Sequence, residues 1–409
     1  MQNNNNFSTK ELWLFGLLIS IIFCLNIIYY FQKYKDFKTE QIYSDDFFVV
    51  AIYPNNQTIK FSNGDFVFFS KIKNSNLEYL DIVNISIPTQ KVTFENYLNQ
   101  FWTKSFMIQK TGKKHNQLLF DLTQKIEDMH KNKEIASFFN ALFFGTNLTQ
   151  KVQDQSINLG ILHLIALSGY HLSVIAGVVY LLFGMIYKFF HAKYFPYRNY
   201  KFDLLILSSI VITFYVYLAG FIPSLIRSFA MYLFAIFMLR KNIKILSYLT
   251  LLMVTLFLIA IFPPLLFSIG FWFSVWGIFY IYLYLQYFSK LNKIVSFVFF
   301  NFWVFFAMNP LVHYFFDMTS VWQLTSPLFT IFFVAFFPTE IILHFLNLGH
   351  VFDFLIEIAL TLTTSRFPKT TSLEVFVLFI TLSIGSIYSK KIFWIFNITL
   401  IVYSIWLFI

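Results

Sequence analysis

The sequence predicts a polytopic α-helical membrane protein that carries a small β-rich domain outside the bilayer. Three observations lead there. Hydrophobic residues make up 58% of the 409-residue chain against 12% charged, and several runs of 20 or more residues lack any charge. The stretch from Tyr34 to about Asn116 interrupts this with mixed polar and β-branched sequence. Beyond it, cationic loops alternate with uncharged turns, the pattern left by repeated crossing with positive loops inside.

Composition sets further bounds. The formal charge of +10 comes mostly from lysine, since Arg198, Arg227, Arg240 and Arg366 are the only arginines. Such an excess suits a nucleic-acid partner, and it equally suits cytoplasmic loops that fix orientation. Aromatic residues reach 22%, with 58 phenylalanines. An AT-rich genome yields that excess at lipid-facing positions too, so it carries no functional weight. Cys24 is the single cysteine, which excludes an intramolecular disulfide.

In chain order, residues 1–33 form an N-terminal anchor, with Leu12–Phe31 long enough for one span and no small-residue cleavage site after it. Residues 34–120 read as the extracytoplasmic β-domain. Asp46–Tyr53 is strand-like and Pro54-Asn55-Asn56 a turn. Thr58–Phe61 and Asp65–Ile72 flank Asn63-Gly64, a strong hairpin signal, and a third run is Glu78–Ile87. Residues 121–157 read as a linker and interfacial helix, because the apolar run Glu134–Gly145 is too short to span. The basic stretch Lys104–Lys133, with seven lysines, is either a guide for phosphate backbones or a solvated helix face.

The spans that follow are approximately 160–187, 203–221, 225–239, 245–262, 266–287, 294–309, 321–346, 373–388 and 392–409, about ten with the first. Phe352–Thr363 carries Asp353 and Glu357 and reads as re-entrant or interfacial. Residues 158–350 form one membrane unit and 351–409 the C-terminal spans. Cations at 188–201, 240–244 and 290–293 put those loops in the cytoplasm, with the β-domain outside. Lys33, Lys35 and Lys38 then lie on the wrong side of the first span.

The stretch 158–177 concentrates the polar chemistry. From Gln155 to Tyr187 there is no Asp, Glu, Lys or Arg, yet His163, Ser168, Gly169 and His171 lie within it. As one helix, Gly160–Tyr187 would run about 42 Å. Polar groups in hydrocarbon face a cavity or a partner, and Gly beside Ser can interrupt a helix. The expected form is two helical pieces, Gly160–Leu167 and His171–Tyr187, meeting at a kink; a tilted continuous helix is the alternative. A second constellation is Ala219–Met231. Arg227 there is the only charged side chain between Asp203 and Arg240, either snorkelling to the interface or fixed as a cation for phosphates. Pro263-Pro264 precedes Gly270-Phe-Trp-Phe-Ser274, and Met308-Asn-Pro310, His313, Asp317 and Ser326-Pro327 form a further polar interruption. Asp317, the sole acid between Lys293 and Glu340, either pairs with Arg227 or a histidine or is solvated.

These motifs carry a resemblance. Gly160, His163, Leu164, Ala166, Ser168, Gly169 and His171 fit the signature of the ComEC family, competence proteins that pass single-stranded DNA across the cytoplasmic membrane. Gly220, Pro223, Ser224, Arg227, Ser228 and Met231 fit its second motif. Gly270–Val275 resembles its Gly-Phe-x-Leu-Ser segment, with Phe273 in place of Leu. The resemblance covers about 140–345 and, weakly, 35–120, where it implies an OB-like fold. It implies a multi-pass protein of the bacterial inner membrane. The implied partners are single-stranded DNA, the lipid bilayer, a periplasmic or cell-surface DNA receptor, a cytoplasmic ATP-driven motor or single-strand-binding protein, and a second copy of the chain. Many family members end in a metallo-β-lactamase-like domain. Here the eight histidines form no His-x-His-x-Asp-His cluster, so no metal, cofactor or enzymatic activity is expected.

The leading expectation is a permease for single-stranded DNA, with Arg227 touching phosphates and Tyr170, Tyr215 and Tyr217 stacking on bases. No GxxxxGK[ST] occurs, so a motor would be a separate protein. The alternative is a transporter or flippase for a small anionic or lipid-linked substrate. A third reading is an intramembrane hydrolase built on His163 and Ser168, which lacks an acid in its segment.

Overall fold

The structure, a computed structural model, describes residues 8–53, 57–72, 76–220, 223–240, 247–362 and 365–409, with the side chains of Pro223 and Ser224 outside that description. The expected turn at Pro54–Asn56 also lies outside the described residues.

Helix α1 spans Thr9–Lys38. Ser8 and Glu11 close a capping box: the Ser8 N–H donates to Glu11 Oε2 at 2.6 Å and the Glu11 N–H to Ser8 Oγ at 3.2 Å. At about 45 Å it exceeds a hydrocarbon core, and its last turns enter the β-domain. Phe37 is buried in the domain's core, the Tyr34 hydroxyl donates to Val92 O at 2.9 Å, and Lys38 Nζ donates to Thr89 O and Gln90 O. Lys33 pairs with Asp65. Lys33 and Lys38, two of the lysines that run against the charge rule, are therefore held by the β-domain.

That domain is one mixed sheet. Its strands are β1 (Ile42–Tyr53), β2 (Thr58–Ser62), β3 (Val67–Lys71), β4 (Asp81–Pro88), β5 (Phe101–Trp102) and β6 (Phe106–Lys114), with the short helix α2 (Phe94–Leu98) between β4 and β5. The order is β5-β3-β2-β1-β4-β6, antiparallel except for β3 with β5. Alternate residues Phe47, Val49, Phe61, Phe68, Val83, Ile85 and Ile87 face one core. The Asn63-Gly64 hairpin forms, with Gly64 at φ +93° and Asn63 Oδ1 accepting from the N–H groups of Asp65 and Phe66. The basic stretch 104–133 is not one helix face: it divides between edge strand β6 and the next helix.

The helices that follow are α3 (Gln117–Met129), α4 (Lys133–Phe144), α5 (Gln150–Asn158), α6 (Leu162–Ile165), α7 (Gly169–Tyr194), α8 (Tyr200–Leu218), α9 (Pro223–Arg240), α10 (Tyr248–Ile261), α11 (Ile269–Phe288) and α12 (Lys293–Phe315). After strand β7 (Met318–Thr319) come α13 (Ser326–Phe345), α14 (Asp353–Thr361), strand β8 (Phe367–Pro368), α15 (Leu373–Tyr388) and α16 (Lys390–Phe408). Among the described residues seven helices are long and apolar enough to cross a membrane: α1, α7, α8, α11, α12, α13 with the turn before it, and α16. Helices α10 and α15 are apolar but shorter. Outward side chains of the long helices, such as Met185 of α7, Ile294 of α12 and Ile401 of α16, are apolar, as suits contact with lipid.

Four expectations change. Helix α4 is packed inside the protein and not left as a free amphipathic segment: Ile135, Phe138, Phe139 and Leu142 share a core with Phe333, Phe336 and Phe337 of α13. Helix α12 continues through Pro310 instead of ending at 309. The run 321–346 is a 3₁₀ turn at Val321–Thr325 followed by α13, and β7 pairs with β8, joining the chain before α13 to the chain after α14. The boundaries at 33, 120 and 350 fall inside α1, inside α3 and within the packed α13–α14 unit.

Candidate functional site

The site is built around the break between α6 and α7. Gly160 stands at φ +67°, a left-handed conformation that L side chains rarely adopt. A Cβ there would lie 3.2 Å from Ser326 Cβ and 3.3 Å from Gln323 Cβ, while Ser326 Oγ donates to Gly160 O at 2.9 Å. Gly160 thus lets the start of α13 touch backbone. The first helical piece is a single turn, Leu162–Ile165, shorter than expected, and Ala166 and Ser168 are extended. The chain is broken here and not continuously helical.

Helix α7 restarts with Ser168 as its cap. The Ser168 N–H donates to His171 Nδ1 at 3.2 Å, and Ser168 Oγ lies 3.1 Å from the same nitrogen. A nitrogen that accepts an N–H carries no proton, so the imidazole proton sits on Nε2. Nε2 is buried and has no hydrogen-bond partner among the described residues. The His171 ring is fully buried, edge-on to Phe337 at 4.5 Å. Ser168 and His171 meet, but among the described residues no carboxylate orients the far nitrogen as a nucleophile's base would need. The geometry is that of a helix cap.

Two further motifs converge on this restart. Helix α8 ends at Gly220, in the left-handed region at φ +74°, and α9 begins at Pro223, where a missing N–H costs nothing. Ser228 of α9 lies against Gly169: a Cβ at Gly169 would be 3.8 Å from its Oγ. One residue earlier, Arg227 turns to α11, where a Cβ at Gly270 would lie 3.7 Å from Nη1. Half-buried Ser274 is one turn further along α11. Arg227 is 8% exposed, its Nε has no hydrogen-bond partner, and no acid pairs with it among the described residues. A buried charge without an acid beside it is costly. Ala166, Ser173 and Gly177, small or polar residues around the break, are exposed.

Other expected residues lie elsewhere. Asp317 is exposed in its loop and pairs with neither Arg227 nor a histidine; its backbone O accepts from the Lys369 N–H. Tyr170 and Tyr215 are not free for stacking. Their hydroxyls donate to Val334 O at 3.2 Å and Phe143 O at 2.6 Å, tying helices together. Tyr217 is exposed on α8. The sequence reading missed the polar groups that hold the break in place. Gln155 Nε2 donates to Ala359 O and Leu362 O, Gln323 Nε2 donates to Ile157 O, and Arg366 reaches Asn158 and Asp154. The signal available was the run of uncharged polar residues beside the break, Gln155, Ser156 and Asn158.

A broken helix, a buried cation beside it, a folded β-domain and seven helices long and apolar enough to cross a bilayer define, as a class, a polytopic helical membrane protein. The particular family is shown by a family model described as Competence protein, which matches residues 142–409. The chain belongs to that family, the ComEC type, and so to the proteins of competence. No curated protein and no solved structure matches it.

Proposed function

We propose that this chain is the channel that carries single-stranded DNA across the bacterial cytoplasmic membrane during natural transformation. Arg227 carries the reading: a guanidinium held without an acid, between the α7 restart and α11, suits a passing phosphodiester. Exposed small and polar groups around the break give weak, repeated contact, which conduction needs.

The β-domain, read as OB-like, would serve the same path through its six-stranded sheet. Trp102, exposed on β5, stacks on Phe69 of β3 at 5.1 Å, and Lys60 Nζ of β2 lies 5.4 Å from the Phe69 ring centre. An aromatic row with a cation is the usual platform for unpaired bases. A receptor would deliver the strand there, and a cytoplasmic motor or single-strand-binding protein would draw it inward.

The test is transformation frequency with a chromosomal marker in a deletion strain complemented with wild type, Arg227→Lys or Arg227→Ala. One charge-assisted contact contributes about 1.5–3 kcal/mol, or roughly 10–100-fold in transfer. Arg227→Ala should lose that much at normal membrane levels, with Arg227→Lys between. Wild-type frequency in Arg227→Ala would reject the role of the cation. Wild-type frequency in the deletion strain of a competent host would reject DNA as the cargo and leave a small anionic solute.

A further inference from the structure

Four titratable side chains from three segments, none used above, form one buried chain of contacts. His130, at the tip of the α3–α4 hairpin, has Nδ1 2.8 Å from Asp353 Oδ1 at the start of α14. Its Nε2 lies 3.1 Å from His344 Nε2, near the end of α13. His344 Nδ1 in turn lies 2.9 Å from the backbone O of Glu340 and 3.3 Å from its Oε2. Phe139 stacks on His130 at 4.7 Å and Phe143 stands edge-on to His344 at 4.8 Å, so the two imidazole rings and Glu340 are buried while Asp353 stays 19% exposed. Gly349 makes room for the second ring: a Cβ there would be 2.7 Å from His344 Nε2.

Those distances fix a proton count. The contact at Asp353, the contact between rings and the contact at Glu340 each need one hydrogen. Carboxylates and a carbonyl bring none, and two neutral imidazoles bring two. A third proton is therefore bound. Glu340 gives an independent sign. It is fully buried and neither carboxylate oxygen has a hydrogen bond among the described residues, which is costly for an anion unless a proton is bound on it or beside it. Burial holds the His130 imidazole below its ordinary range despite the neighbouring Asp353 carboxylate. The other charged groups close by are His350, after α13, and Glu127 of α3, whose carboxylate accepts from Asn140 Nδ2 and Gln124 Nε2. Helix α4 presents rings. Among the described residues no group of three or more His, Cys, Asp or Glu is placed to hold a metal ion.

We propose that His130, His344, Glu340 and Asp353 form a proton-binding latch that fastens the tip of the α3–α4 hairpin to the α13–α14 turn. Losing the proton leaves one of the three contacts without a hydrogen, so two lone pairs face each other and the tip releases. The latched form binds a proton that the open form gives up. Latching is thus favoured at low pH and lost as pH rises. This holds whatever the cargo is.

The test uses the full chain in lipid nanodiscs with Cys24→Ser and spin labels at Lys131→Cys and Val351→Cys, both exposed positions. Pulsed EPR distances are read from about pH 5.5 to about pH 9, the range around an imidazole's titration. A short, narrow separation should give way to a longer one with a single midpoint. Glu340→Gln should lower that midpoint by about one unit or more. His130→Phe should give the long separation throughout, while a second label pair at Lys290→Cys and Lys390→Cys keeps its distance and reports folding. An unchanging wild-type separation, or an unmoved midpoint in Glu340→Gln, would overturn the latch.

Discussion

Gly160 and Gly177 lie 17 positions apart in one charge-free stretch, yet only the first is held by its surroundings. Gly160 combines φ +67° with three atoms of Gln323 and Ser326 within 3.4 Å of where a Cβ would go, whereas Gly177 has nothing within 4 Å. Forcing alanine into a left-handed position costs about 1–3 kcal/mol, and the close approach to α13 adds to it. Gly160→Ala should lower the thermal unfolding midpoint in detergent by several degrees. Gly177→Ala, inside a helix, should leave it unchanged or raise it slightly, since alanine is the better helix former. Equal midpoints for the two variants would show that the α13 contact does not stabilise the break. The motif glycines read in the sequence thus separate into those a backbone contact demands and those left open.

Among elements, the outer sheet is pinned at its β4–β6 edge by one buried acid. Asp81, 1% exposed, receives Lys110 Nζ at 2.8 Å, Lys114 Nζ at 2.9 Å and the Glu78 N–H at 2.8 Å. Burial alone would raise its pKa; Lys110, the Glu78 N–H and Lys114 outweigh that and hold the carboxyl below its usual range. The folded state therefore gains stability from Asp81 above the unfolded value of about 3.9, and loses it as pH falls through the lower folded value. Amide exchange in 81–88 and 106–114 should speed up on acidification, and Asp81→Asn should exchange faster at neutral pH with a much weaker acid dependence. An acid dependence unchanged in Asp81→Asn would assign it to other groups. Strands β1 to β4 were largely legible because their alternation and the Asn63-Gly64 turn are local. Strand β6 and the His130–His344 contact were not. The lysines of β6 suit an edge strand as well as a helix face, and residues 214 apart in sequence meet only through the packing of α4 on α13.

At the scale of the whole molecule, the β7–β8 pair bears on how the chain is threaded. Met318 pairs with Pro368 and Thr319 with Phe367, the Lys369 N–H donates to Asp317 O, and the Thr371 N–H donates to His313 O. This pairing favours a threading in which α13 with α14 makes an excursion instead of a crossing. Hydropathy counts α13 as a span because it sees length and composition but not the return. The positive-inside rule expects the cationic loops at 188–201, 240–244 and 290–293 in the cytoplasm; under it, this threading would put Asp317 outside with the β-domain and bring Lys390 and Lys391 back to the cytoplasm. A chain in which α13 crossed outright would place Lys390 outside. Single cysteines at Lys113, Lys290, Asp317 and Lys390 in a Cys24→Ser chain separate the two threadings. An impermeant maleimide on spheroplasts should label the cysteines at 113 and 317, and reach those at 290 and 390 only after lysis. Labelling at 390 before lysis, with 290 still protected, would mean that α13 crosses.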